Sequence, residues 1–241
     1  MTMMRRAILG LTLVLAASLL SADAESAKLQ SWRVLLVAGD DSEAVFDNAV
    51  DRFTAVLASK PGIELYRLTS DRRLRSATRR IASAKAIDSA LTGSAAQGCF
   101  VFMTSHGTTD GLHLREDYES DRTLSPGKLD RILDTQCGER PTVVVVSACH
   151  SGVFIGKASK GDNRIWLTAA RDDRVSFGCA AEFELTVFDE CMLVAWPKSR
   201  TWQQLFDRTN TCVRLKESEL SESSSLPQSF FGAKVKDLEL P

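Results

Sequence analysis

Val143-Val144-Val145-Val146-Ser147-Ala148-Cys149-His150-Ser151-Gly152 is the stretch on which the reading of the fold turns. Four consecutive valines show no alternation of apolar and polar residues. Such a strand is buried on both faces, as in a parallel sheet covered by helices. The run then gives way to small residues around a cysteine and a histidine. In an open parallel sheet, functional groups collect beyond the carboxyl ends of the strands, so reactive side chains are expected at this place.

Similar runs lie on either side of it. Trp32–Ala38, Cys99–Met103, Thr142–Ala148 and Arg164–Ala169 are predicted strands, with a weaker one at Ile63–Leu68. Between them Val45, Phe46, Ala49, Val50, Phe53, Val56 and Leu57 follow a helical period that Pro61-Gly62 ends. Ser125-Pro126 supplies an N-cap and a first-turn proline for a helix carrying Leu129, Ile132 and Leu133. Trp202, Leu205, Phe206, Thr209 and Val213 mark another amphipathic helix. Alternating strands and helices predict an α/β fold of three layers, a mostly parallel central sheet with helices on both faces. Asp71–Arg80 holds five arginines and reads as a solvated loop or helix start, with an anion site as the functional alternative. Gly111–Glu116 reads as a hairpin arm, and Ser221–Ser225 as a polar loop before an apolar segment, Phe230–Val235.

Composition bounds the function. With 44% apolar residues in 241, the chain has a globular core and is not disordered. A net charge of −1 lacks the basic excess of an electrostatic nucleic-acid binder. Residues 1–24 read as a signal peptide: Arg5 and Arg6, then apolar Ala7–Leu20, then Ala22-Asp23-Ala24 as a small-x-small cleavage site. The apolar run falls short of the roughly 20 residues that span a bilayer. The expected mature chain, residues 25–241, is one exported domain, periplasmic or secreted, with no stable membrane insertion.

The chemistry sits at two strand ends. Phe100–Met103 leads into Thr104-Ser105-His106-Gly107, and Val143–Val146 leads into Ser147-Ala148-Cys149. Adjacent strands lie about 4.8 Å apart, which brings an imidazole within proton-transfer reach of a thiol. A free thiol is only a few per cent thiolate at neutral pH, and a nearby imidazole activates it. The backbone N–H groups of Gly107 and Cys149 can form an oxyanion hole, worth roughly 2.7–4 kcal/mol per donor. Taken singly, the cysteine reads as a buried structural thiol and the His-Gly pair as a turn. Together at two strand ends, with glycines beside both, they read as catalytic. A zinc site of His106, Cys149, His150 and His113 is the metal alternative, but it lacks the close-spaced ligand pairs of zinc sites, so no cofactor is expected.

At these residues the chain resembles the legumain family of cysteine peptidases, which share the caspase-type fold. The likeness is carried by Val37-Ala38-Gly39, Thr104-Ser105-His106-Gly107 and Ser147-Ala148-Cys149-His150-Ser151-Gly152. Thr168-Ala169-Ala170, Ser176-Phe177-Gly178-Cys179 and Thr186-Val187-Phe188 follow in family order, so that the resemblance spans roughly residues 32–236. It implies an endopeptidase acting on peptide or protein substrates through a thioester, with His106 as general base and Cys149 as nucleophile. A transpeptidase or transamidase using the same pair, or a non-catalytic binding module on the same fold, are the alternatives. The resemblance also implies a substrate pocket near Asp47, Asn48, His150 and the loop from Ala170 to Glu190. Here the chain departs from the family. His150 stands where legumains carry an acid, and Asp47 and Asn48 where they carry an arginine. A pocket lined by Asp47, Asp172, Asp173, Asp189 and Glu190 would favour an asparagine or basic residue over aspartate at the cut site.

Five cysteines remain besides Cys149, enough for two disulfides and one thiol. Cys99 begins a core strand and Cys137 shortly precedes another at the same end of the sheet, while Cys191 and Cys212 lie on consecutive helical stretches. Cys99–Cys137 and Cys191–Cys212 are the expected pairs, with five reduced thiols as the alternative.

Overall fold

Strand β1 (Trp32–Ala38) buries all seven of its residues, and its alternation sorts them between two cores. Val34, Leu36 and Ala38 enter one core; Leu35 and Val37 enter the other. The remaining strands of the main sheet are β2 (Ile63–Thr69), β3 (Arg79–Ile81), β4 (Gly98–Thr104), β8 (Thr142–Ser147), β9 (Arg164–Thr168) and β10 (Gln228–Phe231). Their order is β10-β9-β8-β4-β1-β2-β3, all parallel except β10, which runs antiparallel to β9. These are features of a computed structural model that describes residues 28–115, 122–157 and 161–241. The signal-peptide reading of residues 1–24 lies outside the described residues.

Helices cover both faces. On one side α1 (Ala44–Leu57), α5 (Val187–Ala195) and α6 (Trp202–Glu219) pack Phe46, Phe53, Phe188, Met192 and Trp202 against the sheet. On the other, α2 (Ala84–Leu91), α3 (Pro126–Gln136) and α4 (Val153–Lys157) contribute Ile87, Leu129, Leu133 and Phe154. This is the expected three-layer arrangement. The predicted cap also forms: the Ser125 side chain accepts the Lys128 N–H. Among the described residues no helix is long and apolar enough to cross a membrane.

Three segments differ from expectation. The arginine-rich stretch is not all loop: Arg72–Leu74 makes one 3₁₀ turn and Arg79–Ile81 adds edge strand β3. A charged sequence hides that strand because Arg79 is buried only through ion pairs with Asp47 and Asp51, on another element. The hairpin arm is part of a second, antiparallel sheet of β5 (Gly107–Thr108), β6 (Gly111–His113) and β7 (Thr123–Leu124). The last apolar segment enters the main sheet earlier than predicted, as β10.

Both expected disulfides form. Cys99 and Cys137 lie 6.1 Å apart at Cα, Cys191 and Cys212 5.6 Å apart. Cys149 and Cys179 are free.

Candidate active site

Strand register fixes the geometry. Thr104, the last residue of β4, is paired with Ser147, the last of β8. His106 and Cys149 each stand two residues beyond that pair. The Ser105 N–H donates to the Ser147 carbonyl at 3.2 Å, so the two loops leave the sheet side by side. Gly107 packs against the second loop: a Cβ there would lie 2.3 Å from the Cys149 carbonyl oxygen. Only glycine permits this approach.

Each reactive group is held from the side. The His106 ring meets Phe46 edge-on, with centroids 5.2 Å apart, and its Nε2 lies 3.2 Å from the Ser42 hydroxyl. Cys149 Sγ rests on the backbone of Ser176, accepting its N–H at 3.4 Å and facing its carbonyl at 3.6 Å. Gly107 pairs with Leu112, and the adjacent bond runs from the His113 N–H to the His106 carbonyl at 2.9 Å. Gly107 thus occupies a non-hydrogen-bonded position of the ladder, which leaves its N–H unused by β6. The Cys149 N–H likewise has no backbone acceptor among the described residues. Two backbone N–H groups at these strand ends are thus left without a backbone acceptor among the described residues.

Carboxylates brace these loops from below and beside. Asp189 is fully buried and accepts a hydrogen bond from Thr104 at 2.9 Å. Burial pushes its carboxyl up to about 6, against the opposing hydrogen bonds from Ser147, Thr104 and Thr186. It joins the last residues of both strands. Asp40, just past β1, lies 2.8 Å from His113 Nδ1 and accepts the Ser42 N–H at 2.7 Å. Burial works to raise the Asp40 pKa, but the Ser42 bonds and the His113 and His106 imidazoles outweigh it and hold the carboxyl below its ordinary range. The sequence reading missed Asp40, and it set Asp189 in the pocket lining, whereas burial places that carboxyl beneath the strand ends. Asp40 was open to discovery, since it follows a strand end as His106 and Cys149 do.

The pocket residues fare differently. Asp47 does not face a cleft: it is 6% exposed and pairs with Arg79 at 2.9 Å. Burial pushes its carboxyl up to about 6, with Thr69 and Arg79 pulling the other way. A helix position one step from the core-facing Phe46 put it inside, and the pocket assignment is corrected accordingly. Asn48 donates to the Glu184 carbonyl at 3.0 Å, across from the 170–190 loop. His150 lies beside Cys149 in the left-handed region at φ 57°, its N–H on the Arg174 carbonyl and Nδ1 2.9 Å from the Asp172 carbonyl. Glu190 receives Lys216 Nζ of α6 at 2.7 Å, which offsets its charge. Among the described residues, no cluster of three or more His, Cys, Asp and Glu side chains is arranged for a metal ion.

The sequence model of the peptidase C13 family matches residues 77–229, a segment containing both His106 and Cys149. No curated protein matches the chain. Among solved structures, caspase-1 from Spodoptera frugiperda superposes with a TM-score of 0.60 at 12% identity, covering 85% of this chain and 88% of that one. The likeness to the caspase is one of fold.

Proposed function

This chain belongs to the peptidase C13 family, the legumain-type cysteine endopeptidases, and we propose that Cys149 is its nucleophile, His106 its general base, and an extracytoplasmic compartment its place of work. The observation that carries the assignment is the level pair Thr104–Ser147, from which both side chains are equally displaced on adjacent parallel strands.

The mechanism follows from the groups present. His106 takes the thiol proton, and the Cys149 sulfur attacks the scissile carbonyl carbon. The carbonyl oxygen gains the charge and accepts hydrogen bonds from the Gly107 and Cys149 N–H groups. When the tetrahedral intermediate collapses, the C–N bond breaks and His106 returns its proton to the leaving amine. Water then attacks the thioester with His106 again as base, releasing the acid and the free thiol. Asp40 holds its negative charge beside this rim, 2.8 Å from His113 Nδ1, and braces the loop that follows β1. Two disulfides and the apolar leader support an oxidising compartment.

A panel of fluorogenic peptides tests the assignment on the purified protein. Cys149→Ala should abolish cleavage, and His106→Ala should lower kcat/KM by about 10²–10⁴-fold. Cleavage that survives thiol alkylation would remove Cys149 from the mechanism. N-terminal sequencing of the protein recovered outside the cytoplasm should begin at Glu25; a chain starting at Met1 there would remove the leader.

A further inference from the structure

The sheet carries a second feature on the same rim. Strand register runs level from Ile81 through Thr69, Ala38 and Thr104 to Ser147. Ser83, like His106 and Cys149, therefore stands two residues beyond that level, at the β3 edge. Around it opens a cavity of about 700 Å³ lined by Arg72, Arg75, Arg80, Lys85, Ile81 and Ser83. Ser83 also caps α2, accepting the Ala86 N–H at 3.0 Å, so the positive end of that helix opens onto the same space.

Part of the charge there has no counter-charge among the described residues. Arg73 is held by Asp71, and Arg79 by Asp47 and Asp51. Arg75, Arg80 and Lys85 are exposed and make no ion pair among the described residues. In a chain of net charge −1, three uncompensated cations around one cavity are a local excess. Among the described residues, Asp71 is matched by Arg73, Asp41 by Arg115, and Asp40 by His113.

From this juxtaposition, a basic cavity level with the catalytic loops on one rim, we propose that Arg75, Arg80 and Lys85 form an exosite for an acidic segment of the protein substrate. The proposal rests on the peptidase reading above and extends it to substrate choice. Strand β3 lies three strands from β4 and four from β8, roughly 14 and 19 Å at the usual spacing. An extended peptide advances about 3.3 Å per residue, so Asp and Glu side chains roughly four to six residues from the cut bond reach the cavity. Arginine forks match carboxylates there.

The test uses two peptides with one cleavage sequence, extended on either side by a spacer and then by an Asp/Glu tract or a Ser/Asn tract. On the wild-type protein the acidic peptide should show a KM about tenfold lower in one of the two orientations, with kcat unchanged. Molar salt should erase the difference, since it shortens the reach of charge to about 3 Å. The triple substitution Arg75→Ala, Arg80→Ala, Lys85→Ala should abolish the preference while leaving kcat/KM on the neutral peptide unaltered. Fluorescence anisotropy on Cys149→Ala protein reads binding without cleavage, so it decides the exosite even if no peptide is cut. Equal binding of both tracts, or an acidic preference that survives the triple substitution, overturns the proposal. Loss of cleavage with acidic binding intact would instead remove the peptidase reading and leave an anion-binding face.

Discussion

The rim above β4 and β8 and the loop from Ala170 to Glu190 meet at Cys149, yet they are built by different means. On the rim, placement comes from backbone register: the Thr104–Ser147 pair, the Ser105 N–H on Ser147, and a glycine against the next loop. The loop is fastened by partners from distant parts of the chain. Its Arg171 N–H donates to Ser225, Glu184 is held by Asn48 and Arg52, and Glu190 by Lys216. Chemistry set by register tolerates little local change. A loop fastened by long-range side chains can be altered one partner at a time.

Gly107→Ala should strike the rim hardest. The new Cβ would meet the Cys149 carbonyl at 2.3 Å and the Ala148 side chain at 2.9 Å, forcing the two loops apart. A misplacement of about 1 Å between reacting groups costs on the order of 10²-fold, so kcat should fall by about that factor. Steady-state kinetics beside a circular-dichroism spectrum decide it. Wild-type kcat in a folded Gly107→Ala protein would mean that the two strand ends are not held as tightly as their register implies.

Arg79→Ala should be large in stability and silent in catalysis. It leaves Asp47 buried without its 2.9 Å partner, and breaking such a pair costs roughly 3–5 kcal/mol. Urea denaturation reads the loss, and kcat/KM on any peptide that is cut should stay within about twofold, because Asp47 does not face the substrate. A change of cut-site preference in Asp47→Asn would return that residue to the pocket.

Asp189 links the two regions and should leave a pH signature. Its carboxyl titrates near 6 in the folded protein, above the unfolded value of about 3.9. Stability from the neutral form is thus fully present below about pH 4 and is lost as pH rises through 6. Asp189→Asn removes that dependence while preserving a hydrogen-bonding side chain. The wild type should lose roughly 2 kcal/mol relative to this variant between pH 4.5 and pH 8. Parallel stability curves for the two proteins across that range would mean that Asp189 is ionised throughout.

How much of this was legible depends on what carries the information. Strand β1 falls on its predicted bounds, and β4, β8 and β9 fall within a residue of theirs, because burial on both faces writes itself as an unbroken apolar run. The placement of His106 and Cys149 just past two adjacent strand ends was legible by the same logic. The disulfides were legible once the strands and helices were placed. Strand β3 was not, since its buried Arg79 depends on Asp47, distant in sequence. Asp47 itself looked like a pocket residue because nothing near it in sequence announces an arginine partner. Asp189 and Glu190 are adjacent in sequence and opposite in fate, one sealed beneath the strand ends and the other on α6's lysine. Helix phase decides between them, and one step of phase is what short helices leave undetermined.

Glu190→Gln, the smallest of these effects, bears on the loop alone. The Glu190–Lys216 pair is substantially exposed, with side chains 43% and 33% accessible, so solvent screens it. Exposed pairs contribute about 0.2–1 kcal/mol, and the stability change should fall in that range. The functional consequence is sharper than the energetic one. If Lys216 already offsets the Glu190 charge, removing the carboxylate uncovers a cation rather than an empty space. Cleavage after aspartate should then rise relative to asparagine, by no more than a few-fold. Peptides differing only at the cut-site residue measure it, with Lys216→Met as the converse. Should Glu190→Gln instead abolish cleavage after basic residues outright, Glu190 would be a direct substrate ligand, and the loop would share the exacting construction of the rim.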